Sequence, residues 1–471
     1  MTLMKKDEYR ASLRDGRAVY YRGKRVPDVT ADAELRIGVE LGVLDYDMSE
    51  DPAHAAVAVS HDAKTGEAYS SYYRIPRSPE DLLARSRLIE LGTARGSTIP
   101  PLIKEIGTDA LFALLRTLRG EALERAQAFY TRCRNGDLAV AVAQTDVKGD
   151  RSLAPHEQPD PDSYLRVVSK DDKGIVVRGA KAHTSASANA HEVIVLPTRA
   201  MGPKDAAYAV SFAVPIATPG LTLYVSPFSG GAKNDFEFPL SSRTKMLESL
   251  TVFEDVFVPW ERVFLCEEPE KAGPLALSFV EFHRFTAVSY KLPLIDAMIG
   301  AAGTIVNMNG VAKAGHIRDK LAQLITYGES VRALTEMAAL RGRVMEDGIA
   351  RPDPLTVNIA KLTFASGFHG AVALLQECAG GLLATGPGAE DWASPEVRPI
   401  LEKYFRGTGP AEPRLRMMHL IADLTARDFG GYHAVLAIHA EGSVEAEKMQ
   451  ILRSYDAKPA IALARRFARI D

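Results

Sequence analysis

The chain has 471 residues, 46% of them apolar and 25% charged, which suits a soluble protein of two or three structural units. A formal net charge of -3 excludes the basic footprint of a nucleic-acid binder, and no window approaches the roughly 18 consecutive apolar residues of a membrane span. Three cysteines, Cys133, Cys266 and Cys378, encode neither a disulfide framework nor a zinc site, so no protein-only metal centre is expected. Residues 1–10 are too polar for a signal peptide, which makes the cytoplasm the expected compartment.

In chain order, residues 1–137 read as a helical domain. Ser78-Pro79-Glu80-Asp81 is a capped start leading into a helix over 82–91, and 107–133 predicts one long amphipathic helix. Residues 138–270 are strand-rich, with apolar or alternating runs at 138–143, 163–168, 174–177, 192–196, 206–214, 221–225 and 251–258 between Gly, Pro and Asp turns. Residues 271–471 return to helices, the best at 292–314, 317–345 and 356–383, with 345–354 as a loop. Helices, then strands, then helices predict an α+β fold with a β domain between two helical ones.

Two segments of the β domain carry chemistry. The apolar run 138–143 ends in the charged turn Gln144-Thr145-Asp146-Val147-Lys148-Gly149-Asp150-Arg151. About thirty residues later, an alternating strand from Gly174 finishes on His183-Thr184-Ser185. Asp and Gly supply a tight turn, and exposed N–H groups with Lys148 or Arg151 suit a pyrophosphate. The same residues also fit an ordinary solvated turn, and nothing in their spacing alone separates the two readings.

Several long runs in order carry a resemblance. They are 9–28, with Ser-Leu-Arg-Asp-Gly-Arg and Gly-Lys-Arg-Val, then 146–155, 174–183, 208–215, 252–266, His283-Arg284, 309–321 and 379–382. Along nearly its whole length the chain resembles the 4-hydroxyphenylacetate 3-hydroxylase family of flavoproteins, and within it the 4-hydroxybutyryl-CoA dehydratase branch. The resemblance implies an acyl-CoA dehydrogenase-like fold: an N-terminal helical domain, a central β-barrel and a C-terminal helical bundle, assembled as a homotetramer. It also implies FAD contacts at Thr145, Asp146, Lys148, Gly149, Asp150, Arg151, His183, Thr184 and Ser185. Lys313, His316, Glu377, Gly380 and Gly381 would reach the flavin of a neighbouring subunit.

Departures from the family pattern shape the functional expectation. The dehydratase branch holds an iron-sulfur cluster on three cysteines and a histidine. The matching positions here are Pro101, Glu105, Tyr290 and His283, so no cluster is expected, since one imidazole cannot replace a four-ligand set. The Arg, Tyr and His of the phenol hydroxylases fall on Thr108, Phe112 and Val142, and two further dehydratase side chains become Ala287 and Leu436. What the resemblance leaves as candidate catalytic residues is Glu248, His283, Lys291 and Tyr290, with His283 the first candidate base. The expected activity is a two-component monooxygenase, in which reduced FAD from a separate reductase and molecular oxygen hydroxylate a small organic substrate. The alternative is a cluster-free lyase or isomerase acting on an acyl thioester, with Glu248 as base.

Overall fold

The structure is a computed structural model that describes residues 3–228, 231 and 233–470. In the helical N-terminal region, after helices Lys6–Ser12 and Leu35–Glu50, one helix begins where local chemistry dictates. Extended Ser78 accepts a hydrogen bond from the Asp81 N–H at 3.2 Å, Pro79 opens the first turn, and the helix runs Pro79–Arg95. The single helix expected over 107–133 is instead two, Glu105–Thr117 and Gly120–Asn135. The break falls at Leu118-Arg119, which are both extended, and Gly120 takes a φ of 56° that favours glycine.

Most of the predicted strands are present, and one N-terminal hairpin joins them. A six-stranded sheet has the order Lys24–Val26, Ala18–Tyr21, Leu221–Val225, Glu248–Pro259, Gly174–Ser185, Arg166–Lys170. A four-stranded sheet has the order Val263–Cys266, Val210–Pro215, Glu192–Val195, Val140–Ala143. The two meet face to face around pairs such as Phe212 and Phe253, packed edge to face at 5.7 Å. The described strands form these two packed sheets, linked at one end by the bridge between Asp146 and Lys181, and no closed barrel is found among them. The outer strands of the larger sheet expose Lys24, Arg25, Ser169 and Lys170, charged and polar side chains that blunt an edge instead of pairing it.

The C-terminal part is a bundle. Its first helix, Pro269–Met308, spans 40 residues and starts well before the expected 292, because Pro274 and Pro293 are accommodated inside it. Helices Gly315–Leu340 and Pro354–Ala379 pack beside it, and the short hairpin Arg343–Val344 with Ala350–Arg351 takes up the predicted loop together with the last residues of the helix expected over 317–345. Ala411–Thr425, Asp428–His439 and Val444–Ser454 complete the part that bears on the site. No helix among the described residues is long and apolar enough to cross a membrane.

Candidate active site

The turn after Val140–Ala143 is fixed from beneath. Asp146 is buried, with Oδ1 2.8 Å from Lys181 Nζ and 3.0 Å from the Leu165 N–H, and Oδ2 bonded to the Thr198 hydroxyl. Its carboxylate is fully engaged inside the protein, so it holds the turn in shape. Gly149 has a φ of 48°, which favours glycine, and a Cβ there would sit 2.3 Å from Gln158 Oε1 and displace that side chain. Asp150 closes the turn on itself, its Oδ1 accepting from the Ser152 N–H at 2.9 Å and its hydroxyl at 2.7 Å.

Above that base stand cations without counter-ions. Among the described residues, neither the Lys148 ammonium nor the Arg151 guanidinium has a side-chain hydrogen bond or ion pair. Burial and the neighbouring Arg151 charge push Lys148 down, and burial, Lys148 and Arg151 push His183 down. Basic groups gathered this closely, with Lys148 and His183 both disfavoured in their charged forms, form a seat for an anion. The residues therefore fit the diphosphate of a dinucleotide cofactor. The strand alternation separates the remaining candidates. Exposed His183 and half-buried Ser185 lie on one face, whereas Thr184 is fully buried and accepts from the Thr251 hydroxyl at 2.9 Å.

Glu248 lies directly opposite Ser185 in the antiparallel register, and the Ser185 hydroxyl donates to its carboxylate at 2.9 Å. The Tyr432 hydroxyl donates to Oε1 from the other side at 2.9 Å. Burial pushes the Glu248 carboxyl up despite these two donors, and burial with the Glu248 charge pushes Tyr432 well above the usual phenol range. Glu248 and Tyr432 line a narrow cleft with Ile99, Lys245, Met246 and Phe429. Lys245 Nζ donates to the Tyr21 hydroxyl at 2.9 Å, and burial pushes this lysine down to about 8.

A second cavity lies on the other side of helix Asp428–His439, lined by Thr98, Tyr290, Lys291, Phe364, His433 and Leu436. Lys291 Nζ is 2.7 Å from Glu441 Oε2, and the Tyr290 hydroxyl donates to the same carboxylate. Lys361 stands 3.6 Å from Glu441 and 2.5 Å from Glu447. Burial pushes Glu441 up and Lys291 down, so this couple can pass a proton between its members without changing net charge. Glu441 reaches Lys291 because residues 441–442 turn sharply, with φ of 55° and 105°, while Arg284 Nε donates to the Glu441 carbonyl at 3.1 Å.

His283 is placed elsewhere. Its ring lies flat on Phe279 at 5.1 Å, with Nδ1 3.4 Å from Asp109, whose other oxygen binds Arg85 at 2.7 Å and Thr286 at 2.9 Å. It lines neither cavity, so the geometry does not bring it to Glu248. Of the two remaining positions where the resemblance expected cysteine ligands, Pro101 and Glu105 are both buried. Among the described residues no group of three or more His, Cys, Asp or Glu is arranged to hold a metal ion. Thr108 and Phe112 are core residues packed with Arg85.

Lys313 is exposed in the connection between helices Pro269–Met308 and Gly315–Leu340, and His316 is exposed in the first turn of the second. Gly380 and Gly381 cap helix Pro354–Ala379, Gly380 with a φ of 86°, and Glu377 pairs with Lys320. Asn309 Nδ2 reaches the Ala379 carbonyl at 3.5 Å, which joins the two groups at one end of the bundle. Neither group makes a hydrogen bond or ion pair with 145–151 or 183–185 among the described residues. Tyr432, His433 and Glu441 escaped the sequence reading. The nearest signal was Glu441-Gly442-Ser443, an acidic residue at a glycine helix stop, five positions beyond Leu436 where the resemblance placed a lost glutamate.

The fold is that of the acyl-CoA dehydrogenases: butyryl-CoA dehydrogenase from Megasphaera elsdenii superposes with a TM-score of 0.53 at 16% identity, over 90% of this chain and 97% of that one. The models of the N-terminal and C-terminal domains of 4-hydroxyphenylacetate 3-hydroxylase match residues 5–265 and 272–469, and the chain belongs to that family. It is 30% identical to 4-hydroxybutyryl-CoA dehydratase/vinylacetyl-CoA-Delta-isomerase of Clostridium aminobutyricum, over 99% of this chain and 100% of the relative. It is 29% identical to the oxygenase component of 4-hydroxyphenylacetate 3-monooxygenase of Thermus thermophilus, over 88% and 86%. Among solved structures, an oxygen-tolerant archaeal 4-hydroxybutyryl-CoA dehydratase from N. maritimus matches with a TM-score of 0.93 at 29% identity, covering 100% of this chain and 96% of that one. An FAD complex of the monooxygenase oxygenase component matches with 0.91 at 27%, covering 98% of both. The family thus includes both flavin monooxygenases and a dehydratase.

Proposed function

We propose that this chain is the oxygenase component of a two-component FAD-dependent monooxygenase, with Glu248 as the group that takes and returns the substrate proton. Reduced FAD, delivered by a separate reductase, would supply the electrons for oxygen activation. In this reading Lys148, Arg151 and the turn N–H groups hold the diphosphate, while Ser185 fixes the Glu248 carboxylate at the cofactor end of the cleft. Lys313, His316, Glu377, Gly380 and Gly381 complete the cofactor site from a second copy within a homotetramer. Tyr432 donates to Glu248 and steadies its carboxylate form. A carboxyl pushed up by burial holds a proton more readily than an ordinary glutamate, which suits a group that takes and returns one.

What carries this reading against the dehydratase chemistry is the donor set. Pro101, Glu105 and a Tyr290 tied to Glu441 stand where cluster thiolates are expected, and no iron-sulfur cluster is proposed. His283 acts here at one remove, as a positioning residue through Asp109. A redox-neutral lyase or isomerase on an acyl thioester is the second reading, favoured by the full-length similarity to the dehydratase together with the retained Glu248 and Lys291. Product and hydrogen peroxide are to be measured for wild type and Glu248→Gln, with and without oxygen. Oxygen-dependent product in wild type, and peroxide without product in Glu248→Gln, is the expected result. Turnover that persists in strict anaerobiosis and collapses in Glu248→Gln would assign the redox-neutral chemistry instead.

A further inference from the structure

Five lysines are buried among the described residues: Lys104, Lys181, Lys245, Lys291 and Lys361. Four of them stand within 2.8 Å of a carboxylate, Lys104 on Asp137, Lys181 on Asp146, Lys291 on Glu441 and Lys361 on Glu447. Lys245 is the exception. Its nearest carboxylate oxygen among the described residues, Glu34 Oε2, is 3.9 Å away, and its one hydrogen bond goes to the neutral Tyr21 hydroxyl at 2.9 Å. Glu34 is engaged elsewhere, since its carboxylate accepts from that same Tyr21 hydroxyl and pairs with Arg22 at 3.3 Å. A buried ammonium needs charge and hydrogen bonds to offset its lost water, and at Lys245 the protein supplies only part of both.

Lys245 lines the same cleft as Glu248, and the apolar side chains Ile99, Phe228, Met246 and Phe429 line it with them. The charged groups around Lys245 come from three segments besides its own. Glu34 and Asp32, just ahead of helix Leu35–Glu50, favour the ammonium, whereas Arg22 in the turn between strands Ala18–Tyr21 and Lys24–Val26, and Lys233, oppose it. Burial decides the outcome and lowers the group to about 8.

We propose that Lys245 is the specificity-determining residue of the cleft: its ammonium binds a negatively charged oxygen group of the substrate, and so selects an organic anion over a neutral molecule of the same shape. The bound anion completes the charge and hydrogen bonding that Glu34 and Tyr21 leave unfinished. A single charged group in an otherwise apolar cleft also fixes which end of the substrate lies at Lys245 and which at Glu248. This deepens the proposed function and rests on its placement of the substrate at Glu248.

The test uses two pairs of probes that differ in charge but hardly in shape, acetate with acetamide and benzoate with benzamide. Binding to the full-length chain is measured by calorimetry without reductant or turnover, so the result stands whether or not the oxygenase assay succeeds. At least one anion should bind about 10-fold or more tightly than its amide at neutral pH. Lys245→Met should weaken that anion by about 10- to 100-fold, the scale of a charge-assisted hydrogen bond, and leave the amide unchanged, which shows that the cleft is still formed. Lys245→Arg should keep the preference. Because the ammonium is lost as pH rises through about 8, the wild-type preference should fall across that range, whereas that of Lys245→Arg should not. Any effect of Glu248 ionisation is common to both proteins, so the comparison isolates the lysine. Anions bound no better than their amides, no binding by any of the four probes, or a preference that survives in Lys245→Met would overturn the assignment and leave Lys245 a structural prop for Tyr21 and Glu34.

Discussion

The turn 145–151 and the surroundings of Tyr290 face opposite electrostatic problems. At the turn, Lys148 and Arg151 have no counter-ion, while the carboxylate beneath them, Asp146, is saturated by Lys181, the Leu165 N–H and Thr198. At Tyr290 each buried cation, Lys291 and Lys361, has a carboxylate within 2.7 Å. One region leaves charge for a ligand to neutralise; the other neutralises itself. Bare cations at the first region suit an anionic ligand from outside the protein, and paired acids and bases at the second leave no net charge for one.

The largest effect expected from this contrast is at Glu441. Glu441→Ala strands the Lys291 ammonium in a buried position, and unpairing a buried ion costs about 3 to 5 kcal/mol. Thermal and urea unfolding should show that loss, whereas Glu441→Ala combined with Lys291→Met should recover most of it. A single variant as stable as wild type would mean that Lys291 is neutral and the couple carries no charge.

At the turn the effect should fall on binding and leave folding untouched. Lys148→Ala or Arg151→Ala should weaken FAD by about 1.5 to 3 kcal/mol, the scale of a charge-assisted hydrogen bond, with the unfolding midpoint of the cofactor-free protein unchanged. Equal flavin affinity in both variants would return the turn to an ordinary surface loop.

A smaller effect comes from Glu105, which faces buried Asp45. Neither Asp45 oxygen nor Glu105 Oε1 has a hydrogen-bond partner, and burial, followed by the Glu105 charge, pushes Asp45 well above the usual carboxylate range. With the folded value raised, the unfolded chain releases this proton first. The stability tied to protonated Asp45 is complete below about pH 3.9 and falls by about 1.4 kcal/mol per pH unit until the folded group ionises. Asp45→Asn should flatten that slope and stabilise the protein at neutral pH, as read from unfolding midpoints between pH 4 and 8. An unchanged slope would assign the proton to Glu105.

Much of this was legible in the sequence where short-range chemistry decides. The Ser78 cap, the strand Leu221–Val225 and the preference for glycine at 149 follow from turn and capping rules. The start of helix Pro269–Met308 was hidden because Pro274 and Pro293 read as breakers, and only tertiary packing makes them tolerable. The division into helical and strand-rich parts also concealed the hairpin at 18–26, whose partner strand lies far along the chain. At the site, Glu248 and Lys291 came from the resemblance, whereas Tyr432, His433 and Glu441 depend on where helix Asp428–His439 and the turn after it pack against the bundle. No local pattern encodes that packing. His283 shows the converse: a position matching the family pattern packs on Phe279 and reaches Asp109, contacts that the sequence pattern does not reveal.

The strand Ala18–Tyr21 lies parallel to Leu221–Val225, with Ala18 beside Thr222 and Val19 beside Leu223. Ala18–Tyr21 is an inner strand of the six-stranded sheet, yet it is made before the strand it leans on has been synthesised. The opening segment must wait through most of the first half of the chain for its partner, and a contact of such long sequence separation slows folding. Until it closes, Leu221–Val225 offers an unpaired edge that can recruit a strand from another molecule. Shortening the protein at its beginning would therefore cost more than a helical turn or two: removal of residues 18–26 leaves that edge permanently open and turns a folding delay into a route to aggregation.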